Sequence, residues 1–152
     1  MEELCINLLK KRGVELEDIA DCVIFLQKKY VPELNQEIAL EEVKMVLRKR
    51  EVQNAILTGI YLDEMAESTM EEGPLKDALV SDNGLYGIDE VLAYGICNLY
   101  GSIALTNYGY IDKVKPLIIG KLNQKTQQCN TFLDDIVGAI AASAASRLAH
   151  NR

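Results

Sequence analysis

Apolar positions recur three and four apart along most of the chain and alternate nowhere, so the pattern predicts helices from end to end and no strand. Glu2–Arg12 reads as a first helix, closed by Gly13 after the cationic Lys10, Lys11 and Arg12. Leu16, Ile19, Ala20, Val23, Leu26 and Tyr30 make one face of a second, which Pro32 ends. A long third helix is expected from about Leu40 to Glu67, with Glu41 and Glu42 in its first turn and Val43, Leu47, Ile56, Ile60 and Leu62 inside it. A short helix from Pro74 to Val80 lies between the break at Glu71-Glu72-Gly73 and the turn at Ser81-Asp82-Asn83-Gly84. Asp89 and Glu90 open the next helix, Leu117–Asn123 follows the break at Lys115-Pro116, and the last helix runs from about Asp134 to Leu148.

The segment Val91–Ile111 carries no charge and is about as long as a bilayer span. Asn98, Ser102, Thr106 and Asn107, with Gly95, Gly101 and Gly109, dilute its hydrophobicity, so it reads as a buried helix and not as a transmembrane one. The expected fold is therefore all-α: a single multihelical bundle over residues 1–152, with a central buried helix at about 88–106 surrounded by the others. With 152 residues and 49% hydrophobic content the chain can bury such a core without a disulfide or structural metal. No repeat period is present.

Charge narrows the partners. A net charge of -7 and a pI near 4.8 oppose sequence-independent nucleic-acid binding and general attraction to anionic lipid, so contact with a phosphate must be local or metal-bridged. Cys5, Cys22, Cys97 and Cys129 are scattered with no C-x-x-C pair and no secretory signal, which predicts reduced thiols and a cytoplasmic location. His150, near the C-terminus, is the only histidine, so neither His catalysis nor His ligation has a basis.

Carboxylates carry the candidate chemistry. Thr131-x-x-Asp134 is a capping-box pattern that accounts for Asp134 as a first-turn acid, but Asp135 lies one position further, beside Ile136 and Val137, where capping does not need it. Asp89 and Glu90 repeat the doublet at the start of another apolar helix, and Asp112 stands three residues before Lys115. If these acids converge they repel unless a cation neutralises them, and an all-oxygen donor set suits Mg²⁺. Asp135 and Glu90 are the expected pair across such a cation. Arg50, Gln53 and Asn54, at helical spacing behind the basic Lys44, Arg48 and Lys49, read either as a solvated face or as a phosphate-contacting stripe.

In order and spacing, Val80-Ser-Asp-Asn-Gly-Leu-Tyr-Gly-Ile-Asp89-Glu90-Val, Asp112-x-x-Lys115-Pro116 and Leu133-Asp134-Asp135-Ile-Val resemble the phosphatidylglycerophosphatase A family. The resemblance implies Mg²⁺-dependent removal of the terminal phosphate from phosphatidylglycerophosphate. It implies catalytic roles for Asp89, Asp112 and Lys115, metal ligation by Glu90, Asp134 and Asp135, and a phosphate contact from Lys115, which Arg50 and Asn54 of the basic stripe are expected to join. The chain departs from the family at Gly109, where an arginine is expected, at Ile118, where a second proline is expected, and at Ser81 and Asn83, where histidines are expected. Charged amphipathic helices replace a Gly/Pro-rich membrane-associated motif in the N-terminal half. The expected substrate is thus a phosphorylated lipid met through peripheral membrane contact, or a small phosphomonoester. A non-catalytic metal- or ligand-binding helical module is the alternative, and the run Gly138–Ser146 of small residues suggests homo-oligomers through close helix packing.

Overall fold

Helix ends follow the punctuation of the sequence in a computed structural model that describes every residue except 125, 127 and 152. Among the described residues there are nine helices and no strand: α1 (Glu2–Lys11), α2 (Leu16–Gln27), α3 (Gln36–Leu47), α4 (Arg50–Glu67), α5 (Pro74–Ser81), α6 (Ile88–Asn98), α7 (Ser102–Val114), α8 (Leu117–Asn123) and α9 (Leu133–His150). Gly13, at φ +93°, closes α1 while the Val14 amide returns to the Leu9 carbonyl. Glu15 and Asp18 form a reciprocal capping box at the start of α2, and the Asn35 side chain caps α3 by accepting the Ile38 amide.

The single helix expected over Leu40–Glu67 is two. The chain turns at Arg48 and Lys49, and Gln53, from the first turn of α4, donates its side-chain amide to the Leu47 carbonyl at 2.9 Å. Gln53 is thus a buried corner brace that satisfies an orphan carbonyl at the end of α3.

The all-α bundle is as expected, but its buried centre is α9 and not the segment near 88–106. α6 and α7 are separate helices broken at Gly101 (φ +95°), and both present apolar side chains to solvent, with Val91 60% and Tyr110 56% exposed. A run without charge shows that a segment tolerates burial, not that it is surrounded. In α9, by contrast, every residue from Leu133 to Ser146 is buried. Its alanines, glycine and serines let α2, α3, α4, α6, α7 and α8 pack onto it from all sides. At Gly59 of α4 the approach is so close that a Cβ would lie 2.3 Å from Ile136 Cδ1 and 3.1 Å from Phe132 Cβ. The small-residue run is therefore consumed inside the chain and is not a face free for packing against another copy. No helix among the described residues is long and apolar enough to cross a membrane.

The start of α9 corrects a second expectation. Thr131 does not cap it: its hydroxyl donates to the Leu79 carbonyl at 2.6 Å, tying the turn to the end of α5. Asp63 of α4 does the capping, its Oδ1 accepting the Phe132 amide and its Oδ2 the Leu133 amide, each at 3.0 Å. Burial pushes the Asp63 carboxyl up to about 7, while the two amides and the Arg12 guanidinium pull it back. Arg12 in turn bonds Glu67 and the Cys129 carbonyl, so α1 and α4 together hold the loop that enters α9.

Replacing this bidentate acceptor leaves two buried amides without a partner. Asp63→Ala is expected to cost about 2 kcal/mol or more, read as a lower urea midpoint, with Asp134→Asn costing less because it caps nothing in this way.

Candidate functional site

The cap at Asp63 aims the first turn of α9 at the ends of α6 and α7. Asp134 and Asp135 are 5% and 4% exposed. Asp134 Oδ1 accepts the Asp135 amide at 2.9 Å, and its Oδ2 lies 3.5 Å from Lys115 Nζ. Lys115 also donates to Asp112 Oδ1 at 3.0 Å. The carboxyl groups of Asp89 of α6 and Asp112 of α7 lie close enough to Asp135 to raise its pKa. Four carboxylates from three helices therefore come together, two of them, Asp112 and Asp134, paired with the Lys115 ammonium group.

Local backbone geometry sets that ammonium. Lys115 ends α7 in a left-handed conformation (φ +51°), Pro116 cannot continue the helix, and the Lys115 carbonyl packs on Gly120 of α8. A Cβ at Gly120 would lie 2.6 Å from that oxygen, so only glycine leaves the lysine where it is.

Burial raises the Asp134 carboxyl to about 7, opposed by Lys115 and reinforced by the charges of Asp82 and Asp112. Burial also raises Asp135 strongly, and the adjacent Asp134 charge adds to it. Lys115 is held above its ordinary value, since Asp134 and Asp112 outweigh the lowering by burial. Glu90 is raised by burial and by Asp89 and Asp112, but it is only partly buried and stands at the edge of the group. The direct partner of Asp135 across α6 is thus Asp89, not Glu90, because the side chain of Asp89 faces inward.

Two expected phosphate contacts are not at the cluster. Arg50 begins α4 thirteen residues before Asp63, roughly 20 Å along the helix axis, and is exposed. Asn54 lines a separate groove with Glu51, Thr58, Leu92 and Gly95. The basic stripe at the start of α4 is instead a solvent-facing corner, where Lys49 lies over the Tyr100 ring.

Two residues at the cluster escaped the sequence reading. Asp82, in a left-handed C-cap after α5, adds its charge near Asp134 and Glu90. Tyr108 is 1% exposed, its ring lies against Gly138 and edge-on to Tyr94, and its hydroxyl is buried toward Asp135 with no completed hydrogen bond among the described residues. Burial and the neighbouring Asp135 charge raise its phenol well above the ordinary range. The spacing Tyr108, Asp112, Lys115 on one face of α7 was the available signal.

A sequence model described as "Phosphatidylglycerophosphatase A" matches residues 7–150. The uncharacterized protein YutG of Bacillus subtilis is 61% identical over 143 residues, which is 93% of this chain and 86% of that protein. Of solved structures, the low temperature requirement C protein from Listeria monocytogenes shares 59% identity with a TM-score of 0.96, covering 99% of this chain and 95% of that one. A protein of unknown function from Bacillus stearothermophilus shares 56% identity with the same TM-score of 0.96, covering 99% and 94%.

The donor chemistry of the cluster is the kind a hard divalent cation takes. Asp89, Asp134 and Asp135 offer only oxygen, are nearly fully buried, and repel one another, while the orphaned Tyr108 hydroxyl marks a polar centre with more capacity than the protein fills. Among the described residues no three histidine, cysteine, aspartate or glutamate side chains are arranged as a metal-holding group. In chelator the cluster is a source of pH-dependent instability. A carboxyl raised in the fold favours the folded state most at low pH, below its unfolded value, and that advantage disappears as pH rises through the folded value. With Asp134 raised to about 7, its share of the stability measured by urea unfolding in EDTA is lost between about pH 4 and about pH 8, and Asp134→Asn lessens the fall while Asp63 and Asp135, also raised, keep their shares.

Proposed function

This chain belongs to the phosphatidylglycerophosphatase A family, and on that premise we propose that it is a Mg²⁺-dependent phosphomonoester hydrolase acting on phosphatidylglycerophosphate or a related phosphorylated substrate. The observation that carries this reading is the convergence of Asp89, Asp112, Asp134 and Asp135, with Lys115 paired to Asp112 and Asp134.

Asp134, Asp135 and Glu90 would hold the ion, with Asp89 and Asp112 beside them. When bound, Mg²⁺ offsets carboxylate repulsion and polarises a phosphoryl oxygen or a water. Asp89 and Asp112 flank Asp135, and whichever stays free of metal would take the proton of the attacking water. Lys115 would bind the phosphoryl oxygens and stabilise charge that develops on them as the ester bond breaks. It supplies the cation that the family's arginine would provide at position 109. Gly109 lies three residues before Asp112 with open space beside it, so no other side chain takes over that role.

Substrate approach has a supporting feature. Leu85, Ile88, Val91, Val114 and Leu117 are exposed and are neighbours in sequence of Glu90, Asp112 and Lys115, which suits the acyl chains of a lipid presented at a membrane surface. Four unpaired cysteines suit the reducing cytoplasm. Assembly into homo-oligomers belongs to the same proposal, through a surface other than α9. The open position at Gly109 also favours a second reading, a module that binds metal or an anionic ligand through these carboxylates without turnover.

Phosphate release from phosphatidylglycerophosphate and a panel of soluble phosphomonoesters, with Mg²⁺ and with EDTA, separates the two. The hydrolase reading expects release that EDTA abolishes, a loss in kcat of about 10³-fold or more in Asp135→Asn, and about 10²-fold in Lys115→Ala. Full activity in Asp135→Asn would refute it, and Mg²⁺ binding by calorimetry with no turnover of any substrate would establish the second reading.

A further inference from the structure

The ring of Tyr108 is packed from two helices. It is 1% exposed; a Cβ on Gly138 of α9 would stand 3.6 Å from its Cδ1 and Cε1, and the Tyr94 ring of α6 meets it edge-on at 5.4 Å between centroids. A phenol oxygen lies on the axis of its ring, so close packing of the ring also sets where the hydroxyl points. It points into the carboxylate cluster, where Asp135 and Asp112 are near enough for their charges, together with burial, to hold the phenol well above its ordinary range. The hydroxyl therefore keeps its proton and faces these acids as a donor. Yet it is closed to solvent and has no hydrogen-bond partner among the described residues, whereas buried tyrosine hydroxyls nearly always have one. Lys115 is committed to Asp112 and Asp134. Asp135 is thus the acid that Lys115 does not pair with, and Tyr108 beside it is a donor that no acceptor uses.

We propose that Tyr108 is a positioning residue for Asp135: its hydroxyl donates to one carboxylate oxygen when a divalent cation enters the cluster, and leaves the other oxygen to face the cation. The inference rests on the reading of the cluster as a cation site and holds whether or not turnover follows. A cation favours the ionised carboxylate, and an ionised carboxylate accepts a stronger hydrogen bond than a neutral one. The buried donor then gains the partner it lacks, and Asp135 gains a fixed orientation. Carboxylates that ligate metals are in general held by such a further hydrogen bond, and losing it weakens metal binding by about 10- to 100-fold. Because the hydroxyl is closed to solvent, Tyr108 acts through Asp135 and does not touch the substrate. A ring that only fills space makes the opposite prediction, since an unpartnered buried hydroxyl can be removed without loss and phenylalanine would then serve equally well with or without the cation.

Tyr108→Phe removes the oxygen and keeps the ring against Gly138 and Tyr94. In EDTA its urea midpoint is expected to equal or exceed that of the parent, because the hydroxyl has no partner to lose. Mg²⁺ titrated calorimetrically into the intact protein is expected to bind the variant about tenfold or more weakly than the parent. Tyr100→Phe is the control: it deletes another buried, unpartnered hydroxyl, beside Ser146 near the other end of α9, and is expected to keep the parent's affinity. Equal Mg²⁺ affinity in Tyr108→Phe and the parent would overturn the proposal while leaving the cation site intact. An equal loss in Tyr100→Phe, or a lower urea midpoint for Tyr108→Phe in EDTA, would overturn it as well. A parent that binds no Mg²⁺ would overturn the cation reading itself, and this inference with it.

Discussion

Two hydrogen bonds from Asp63 to the amides of Phe132 and Leu133 fix where α9 begins, and the other features of the site follow from that point. A helix buried on all sides has no water to satisfy its first amides, so a partner must come from another element. Here it comes from α4, about seventy positions earlier in the chain. Because Asp63 takes that role, Asp134 and Asp135 are released from capping and turn toward α6 and α7. Arg12 and Glu67 hold the same loop from the other side, which makes the entry to α9 a joint of α1, α4 and α5.

The cluster that results is costly to the fold taken by itself. Burial and mutual repulsion both favour protonated carboxyls, and one lysine cannot neutralise four acids. Such an arrangement makes physical sense when a cation and a phosphate oxygen enter it, since each then answers a deficit already present. Lys115 stays near the anionic side because Pro116 and Gly120 lock its backbone. Tyr108 closes the floor with an apolar ring on Gly138 and a hydroxyl toward Asp135.

Fold class was legible because helical periodicity is local: each amphipathic face is written within about a dozen residues. Helix ends marked by Gly13, Pro32, Pro74 and Pro116 were legible for the same reason. The break at Arg48 and Lys49 was not, because nothing there forbids a helix. It exists because Gln53 can brace a corner that packing requires. Asp135 was legible as an acid without structural need, and Asp89, Asp112, Lys115 and Asp134 as members of ordered motifs, but Arg50 and Asn54 were drawn in by helical spacing alone and belong elsewhere.

The sequence by itself determined an all-helical chain, an acidic surface, and a set of carboxylates whose positions match a phosphatase family. Those are properties of residue type and short spacing. Tertiary structure decided which helix is central, who caps it, and which acid faces which. Small residues let α9 be surrounded where an uncharged run with larger side chains was not, and Asp63 outcompeted Thr131 for the amides because a carboxylate with two acceptor oxygens could reach both at once. Such choices depend on distances between residues far apart in the chain, and no local pattern carries them.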